Sequence, residues 1–94
     1  MLVLTRAEGE RILVGDVWLW VHSVEHGTPR WNFTTTIRFQ VGEQKATTAI
    51  LDPHETHSIP TLEGAFIQVI QLRGRKVSIG IQADGYKIYR EEML

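Results

Sequence analysis

The sequence contains no cysteine. This excludes disulfide bonds, zinc sites built on thiolates and thiol nucleophiles, and it is typical of a protein from the reducing cytosol. No apolar run approaches the roughly 18 residues that a membrane-spanning helix needs, and the opening residues 1–4 reach Thr5 and Arg6 too soon for a signal peptide. An excess of one charge is also lacking, because the net charge is −1 at pH 7. We therefore expect a cytoplasmic protein that does not coat nucleic acid or membranes by bulk charge.

Helical periodicity is absent as well. Val, Ile, Thr and Trp alternate with polar residues, and turn signals recur about every eight to twelve residues, which is typical of an all-β fold. At 94 residues the chain is expected to form one domain with little or no helix. The alternation predicts strands over residues 1–6, 11–14, 17–24, 31–41, 45–51, 65–72, 77–83 and 86–90, with a loop over residues 52–60.

The last two predicted strands are joined by Asp84-Gly85, the most hairpin-prone dipeptide in the sequence. The chain is therefore predicted to close on a β-hairpin whose second strand carries Arg90 at its end. Residues 65–94 hold five basic side chains against three acidic ones. This local excess predicts a basic strip on a mildly acidic body, which suits selective binding of an anionic partner.

Catalytic and metal sites are poorly supported by the remaining residues. Glu91 and Glu92 would point apart on a strand, so we interpret them as the solvated start of a helix rather than as an acid–base pair. The histidines form two close pairs outside any predicted helix, and neither pair predicts a metal site: His22 with His26, and His54 with His57. We expect no cofactor and no enzymatic activity.

The three tryptophans leave two interpretations open. Aromatic rings on a strand can stack on bases. They can also form the core of a hairpin, and their grouping within one predicted hairpin favours this second interpretation. The three tryptophans are Trp18, Trp20 and Trp31.

Short blocks at the two ends of the chain carry a resemblance to a known family. The opening block is MLVLTR at residues 1–6, GE at 9–10, Ile12 and GD at 15–16. The closing block is FIQVI at residues 66–70, VSIGIQA at 77–83 and IYREEM at 88–93. Together, in this order, the blocks resemble the carbon storage regulator family (CsrA/RsmA) of bacterial RNA-binding translational regulators.

The resemblance implies a small β-sheet or barrel domain and a strand-exchanged homodimer. In that family the first strand lies beside the last strand of the other subunit, and each such pair binds a GGA element in an RNA hairpin loop. The positions that match these two strands are implied as the RNA site, with Arg90 as the principal contact: Leu4, Thr5, Arg6, Ile88, Tyr89 and Arg90.

The sequence departs from the family pattern in several places. Residues 17–64 have no counterpart and are interpreted as an insertion of strands into a single domain of residues 1–94. Ala7 and Ser78 stand where basic residues are common, the Asp84-Gly85 turn replaces a proline-containing one, and the chain stops at Leu94 where the family continues into a helix. Residues 17–41 also resemble residues 67–81 in rhythm, a pattern too generic to establish a duplication.

Two functions of different classes follow. The first is an RNA-binding translational regulator that recognises GGA-containing hairpin loops in mRNA leaders or small RNAs. The second is a protein-interaction module in which the insertion binds a partner or replaces the second subunit, with RNA binding weakened.

Overall fold

The computed structural model describes residues 1–29 and 32–94, and this part of the chain is built almost entirely of β-strands. Its elements in order are β1 (Leu2–Ala7), β2 (Arg11–Val14), β3 (Val17–His26), β4 (Phe33–Val41), β5 (Thr47–Leu51), β6 (Thr56–Ser58), β7 (Phe66–Arg73), β8 (Lys76–Gln82), β9 (Ile88–Arg90) and the 3₁₀ helix η1 (Glu91–Met93). The all-β prediction is confirmed. The start of the strand predicted at residues 31–41 lies outside the described residues.

The strands form two antiparallel sheets that share one core. Sheet A has the order β1-β8-β7-β6, and sheet B has the order β5-β4-β3-β2-β9. Alternation decides which side chains are buried: in β3, Val17, Leu19 and Val21 are fully buried, whereas the side chains between them are not. The inward residues of both sheets belong to a single hydrophobic cluster.

The closing hairpin predicted from Asp84-Gly85 is wrong. The turn itself forms, because Gly85 has a φ of +86° and the Tyr86 N–H donates to the Ala83 carbonyl at 3.1 Å. However, β9 continues to sheet B, where it pairs with β2. The reason lies in β8, whose two edges are already occupied by β1 and β7. No edge of β8 is left for a hairpin partner.

Residues 17–64, interpreted as an insertion, contribute to both sheets. They supply β3 and β4 at the centre of sheet B, β5 at its edge, and β6 at the edge of sheet A. The predicted loop over residues 52–60 is partly wrong, because it contains the short strand β6, which pairs with β7. These strands are therefore integral to the core.

The two sheets repeat one arrangement of strands. Strands β1 to β4 correspond in order to strands β5 to β8. When each strand is exchanged for its counterpart, the order β1-β8-β7-β6 of sheet A becomes β5-β4-β3-β2, which is the order found in sheet B. The register agrees in detail: a bulge follows Val21 in β3 and Val69 in β7. Ile37 lies opposite the first of these valines, and Ile79 lies opposite the second. Among the described elements, β9 and η1 have no counterpart.

The turns before the central strands repeat the same hydrogen bonds. Gly9 donates its N–H to the Val21 carbonyl at 2.9 Å, and His54 donates its N–H to the Val69 carbonyl at 2.6 Å. Both turn residues have a positive φ, +83° for Gly9 and +67° for His54. In each turn a glutamate accepts a backbone N–H three residues earlier, Ala7 to Glu10 at 2.7 Å and Asp52 to Glu55 at 2.9 Å. The chain is thus a tandem repeat of a four-stranded unit, followed by β9.

Because the two repeats share one core, we expect a cavity in either repeat to destabilise the protein to a similar extent. Leu19 in β3 and Ile67 in β7 occupy equivalent, fully buried positions. Leu19→Ala and Ile67→Ala should each lower the free energy of unfolding by about 2–5 kcal/mol, because each leaves a cavity. Urea denaturation should show one transition in both variants. Ile50→Ala, at a side chain 67% exposed, should change little, and separate transitions for the two variants would contradict a single core.

Candidate nucleic-acid interface

An ion pair between a buried arginine and an exposed glutamate ties the two ends of the chain together. Arg6 lies on the inward side of β1, and only 3% of its surface is exposed. Its Nη1 donates to Glu92 Oε1 at 2.6 Å, and its Nη2 donates to Glu92 Oε2 at 2.7 Å. Nη2 also lies 3.4 Å from the carbonyl oxygen of Arg11 and 3.8 Å from a Glu10 carboxylate oxygen. A buried guanidinium is costly unless it is paired in this way, so the pair holds η1 against β1.

A second ion pair lies beside the first. Arg11 Nε, at the start of β2, donates to Glu91 Oε2 at 2.6 Å. The same guanidinium lies over the Trp18 ring, with its central carbon 4.2 Å from the ring centroid. Glu91 and Glu92 were predicted to be a merely solvated helix start. They begin a short 3₁₀ helix, but both are ion-paired to arginines from the other end of the chain.

The ion pair shifts the ionisation of both partners. The hydrogen bond from Arg6 holds the pKa of Glu92 at about 2, below its ordinary value of 4.5. The same bond raises the pKa of Arg6. Both groups therefore stay charged through the neutral range, and the connection between the chain ends is intact there.

The predicted site residues on β1 divide between the two faces of the strand. Leu4 and Arg6 point inward and are buried. Thr5 is exposed, and its hydroxyl lies 3.3 Å from the hydroxyl of Ser78. The structure therefore offers only Thr5 of these three side chains to a ligand, while the other two support the strand from behind.

The predicted site residues on β9 are more accessible. Ile88 is half-buried and packs against the core, whereas Tyr89 is 39% exposed. Arg90 is exposed, and within the described residues its guanidinium makes no salt bridge. It is thus available to an anionic or guanine-bearing ligand.

Two strand edges accompany these side chains. β1 ends sheet A and β9 ends sheet B, so each is paired on one side only, by β8 and by β2. The other side of an edge strand presents backbone N–H and C=O groups to solvent. Leu2 and Val3 are 44% and 50% exposed along β1. The interface thus combines backbone donors and acceptors, apolar side chains and an unpaired arginine.

Sequence reasoning missed the residues that hold this interface together, namely Arg11, Glu91 and Glu92. A signal for them exists. Arg6 shares the inward face of its strand with Leu4, and a charged residue on an apolar face requires a buried partner. The sequence does not show which of the acidic residues supplies it.

Other kinds of site find no support in the described residues. Across residues 1–29 and 32–94, no three His, Asp or Glu side chains converge to hold a metal ion. The same residues form no helix that is long and apolar enough to cross a bilayer. Comparisons with known protein families, curated proteins and solved structures find no match to this chain.

The lowered pKa of Glu92 predicts a specific loss of stability in acid. The carboxylate form stabilises the fold fully above the ordinary pKa of 4.5, and this contribution is lost as the pH falls toward about 2. Glu92→Gln should lower the urea midpoint at pH 7, and the difference from wild type should shrink between pH 4.5 and pH 2.5. Glu8→Gln, at an exposed turn residue, is the control. A Glu92→Gln difference that is the same at both ends of this range would contradict the assignment.

Proposed function

We propose that this chain is a cytoplasmic RNA-binding regulator of the carbon storage regulator type, which binds a GGA-containing hairpin loop in mRNA leaders or small RNAs. One observation carries the proposal. The Arg6–Glu92 ion pair joins the two chain segments that resemble the family's RNA-binding strands. The face that the resemblance expects from two subunits is thereby available within one chain.

The exposed groups suit a single-stranded loop. Arg90 presents a rigid fork of donors that fits the O6 and N7 atoms of guanine or a phosphate. Bases in a loop are unstacked, so their edges are open to the backbone groups of β1 and β9, and the Tyr89 ring can stack on one of them. Thr5 adds a hydroxyl.

The buried members of the predicted site, Leu4 and Arg6, lie beneath this face. Leu4 packs beneath β1. Arg6 is buried, and both of its Nη atoms donate to Glu92, so we assign it a positioning role rather than a contact with RNA. Binding over a ribosome-binding region would repress translation by occlusion. The homodimer expected from the resemblance stays a prediction. The proposed face does not require a second subunit.

The alternative function, a protein-interaction module, is favoured by a different edge. β6 is paired only with β7, whereas its counterpart β2 is covered by β9. The sequence around β6, residues 46–72, contains three acidic side chains and no Lys or Arg. A basic extended segment of a partner could add to this edge as a further strand.

The RNA proposal is tested by Arg90→Ala. Loss of one bidentate arginine–guanine contact should weaken binding to a GGA-loop hairpin roughly 5- to 150-fold, as measured by gel shift. Binding to a hairpin with a mutated loop should change far less.

Lys45→Ala is the matched control, because it removes an exposed positive charge from the turn between β4 and β5, at the opposite edge of sheet B. It should leave affinity for the GGA hairpin nearly unchanged. A folded Arg90→Ala protein with wild-type affinity would overturn the assignment of the site.

A further inference from the structure

The outward face of sheet B carries two rows of unusual side chains. The first row crosses the sheet from Tyr89 through Leu13 and Trp18 to Gln40. The second row runs from Arg11 through Trp20 and Arg38 to Thr48. Residues that lie opposite each other in antiparallel strands point to the same face. The row between these two holds the buried residues Ile12, Leu19 and Phe39. We call these two rows the platform.

The aromatic rings of the platform are only partly covered within the described residues, Trp18 by the Arg11 guanidinium. Trp18 and Trp20 are only partly buried, although indole rings are strongly apolar. Trp20 lies between Arg11 and Arg38 in the register. Arg38 makes no salt bridge within the described residues, and its buried Nε has no hydrogen-bond partner there. The platform thus holds an unpaired cation beside an accessible ring.

The tandem repeat provides an internal control for the role of these residues. The positions in sheet A that correspond to Arg11, Trp20 and Arg38 are Thr56, Gln68 and Gly80. Inward positions stay apolar in both repeats, as Leu19 and Ile67 show. Arg11 has a structural role in sheet B, because it holds Glu91 of η1 and lies over Trp18. Among the described residues, no comparable ion pair explains Trp20 and Arg38.

The outward face of sheet A is also covered by side chains at the position where the outward face of sheet B is not. The Met1 and Ile70 side chains lie over Gly80, with Ile70 Cδ1 3.1 Å from the position of an added Cβ. The corresponding residue in sheet B is Arg38, which is partly exposed. The outward faces of the two repeats therefore differ in what covers them.

The chemistry of the platform fits single-stranded RNA. Trp18 and Trp20 project from the same face of one strand, about 6.6 Å apart along it, and indole faces stack on bases of any sequence. Arg38 flanks Trp20 and suits a phosphate, whereas Arg11 is already held by Glu91. Tyr89 belongs to the first row, whereas Arg90 lies opposite Ile12 and therefore on the other face of β9. The platform and the proposed loop-binding face thus meet at the sheet edge that β9 forms.

We infer that the platform binds the single-stranded RNA that flanks the recognised loop, with a base stacked on Trp20 and a phosphate held by Arg38. This inference rests on the proposed function and extends it. The proposed loop-binding face would select the GGA element, and the platform would add affinity that depends little on the RNA sequence. A peptide or a sugar is the competing ligand for an aromatic surface of this kind.

The experiment compares a blunt GGA hairpin with the same hairpin extended by a single-stranded tail. Wild type should bind the tailed RNA more tightly in fluorescence anisotropy, and Trp20→Thr should lose this gain, roughly fivefold or more, while keeping its affinity for the blunt hairpin. Trp20→Phe, which keeps a stacking ring, should retain most of the gain. Phe66→Thr is the matched control, because it removes an aromatic side chain from the outward face of sheet A.

The outcomes separate the inference from the proposed function. If Trp20→Thr, shown to be folded by its urea midpoint, binds the tailed RNA as tightly as wild type, the platform does not bind RNA. Equal losses for blunt and tailed RNA would mean a structural role, and binding of a peptide or sugar without RNA would also overturn the inference. If the tail effect depends on Trp20 but the loop sequence and Arg90 do not matter, the platform stands and GGA recognition fails.

Discussion

The buried guanidinium of Arg6 is the constraint on which the arrangement of this protein depends. A charge on the inward face of β1 destabilises the fold unless a carboxylate reaches it, and the partner, Glu92, lies 86 residues away. Once that pair forms, the chain ends meet, and β9 is held at the edge of β2 beside them. The candidate interface therefore depends on the pairing of a buried guanidinium as well as on the groups at its own surface.

The same constraint explains why the protein has one candidate interface although its four-stranded unit occurs twice. In the register of sheet B, the position equivalent to Arg6 is Leu51, which is buried without a charge and requires no carboxylate. The connection between the repeats, residues 42–46, is too short to supply a strand at the edge of β6. One edge is thus covered and bears the proposed site, and the other is left open.

Alternation predicted most of the fold, because the clearest strands, such as β3 and β4, bury every second residue over much of their length. It did not predict the partner of β9. Asp84-Gly85 is a local signal for a hairpin, whereas the choice of partner depends on which edges are free once β8 lies between β1 and β7. The site residues on β1 and β9 could be named from the resemblance, but their exposure could not. The repeat was hidden because its outward residues, such as Trp20 and Gln68, have diverged while its inward ones kept only a generic apolar character.

The covalent joining of two equivalent four-stranded units has a consequence for how the protein holds together in dilute solution. Units on separate chains would dissociate as their concentration falls, because their assembly follows mass action. Here a short turn keeps each unit at an effective concentration in about the millimolar range relative to the other. The units thus remain assembled however few copies a cell contains. Joining them also frees each position to change without an identical change in its counterpart, as a homodimer would impose.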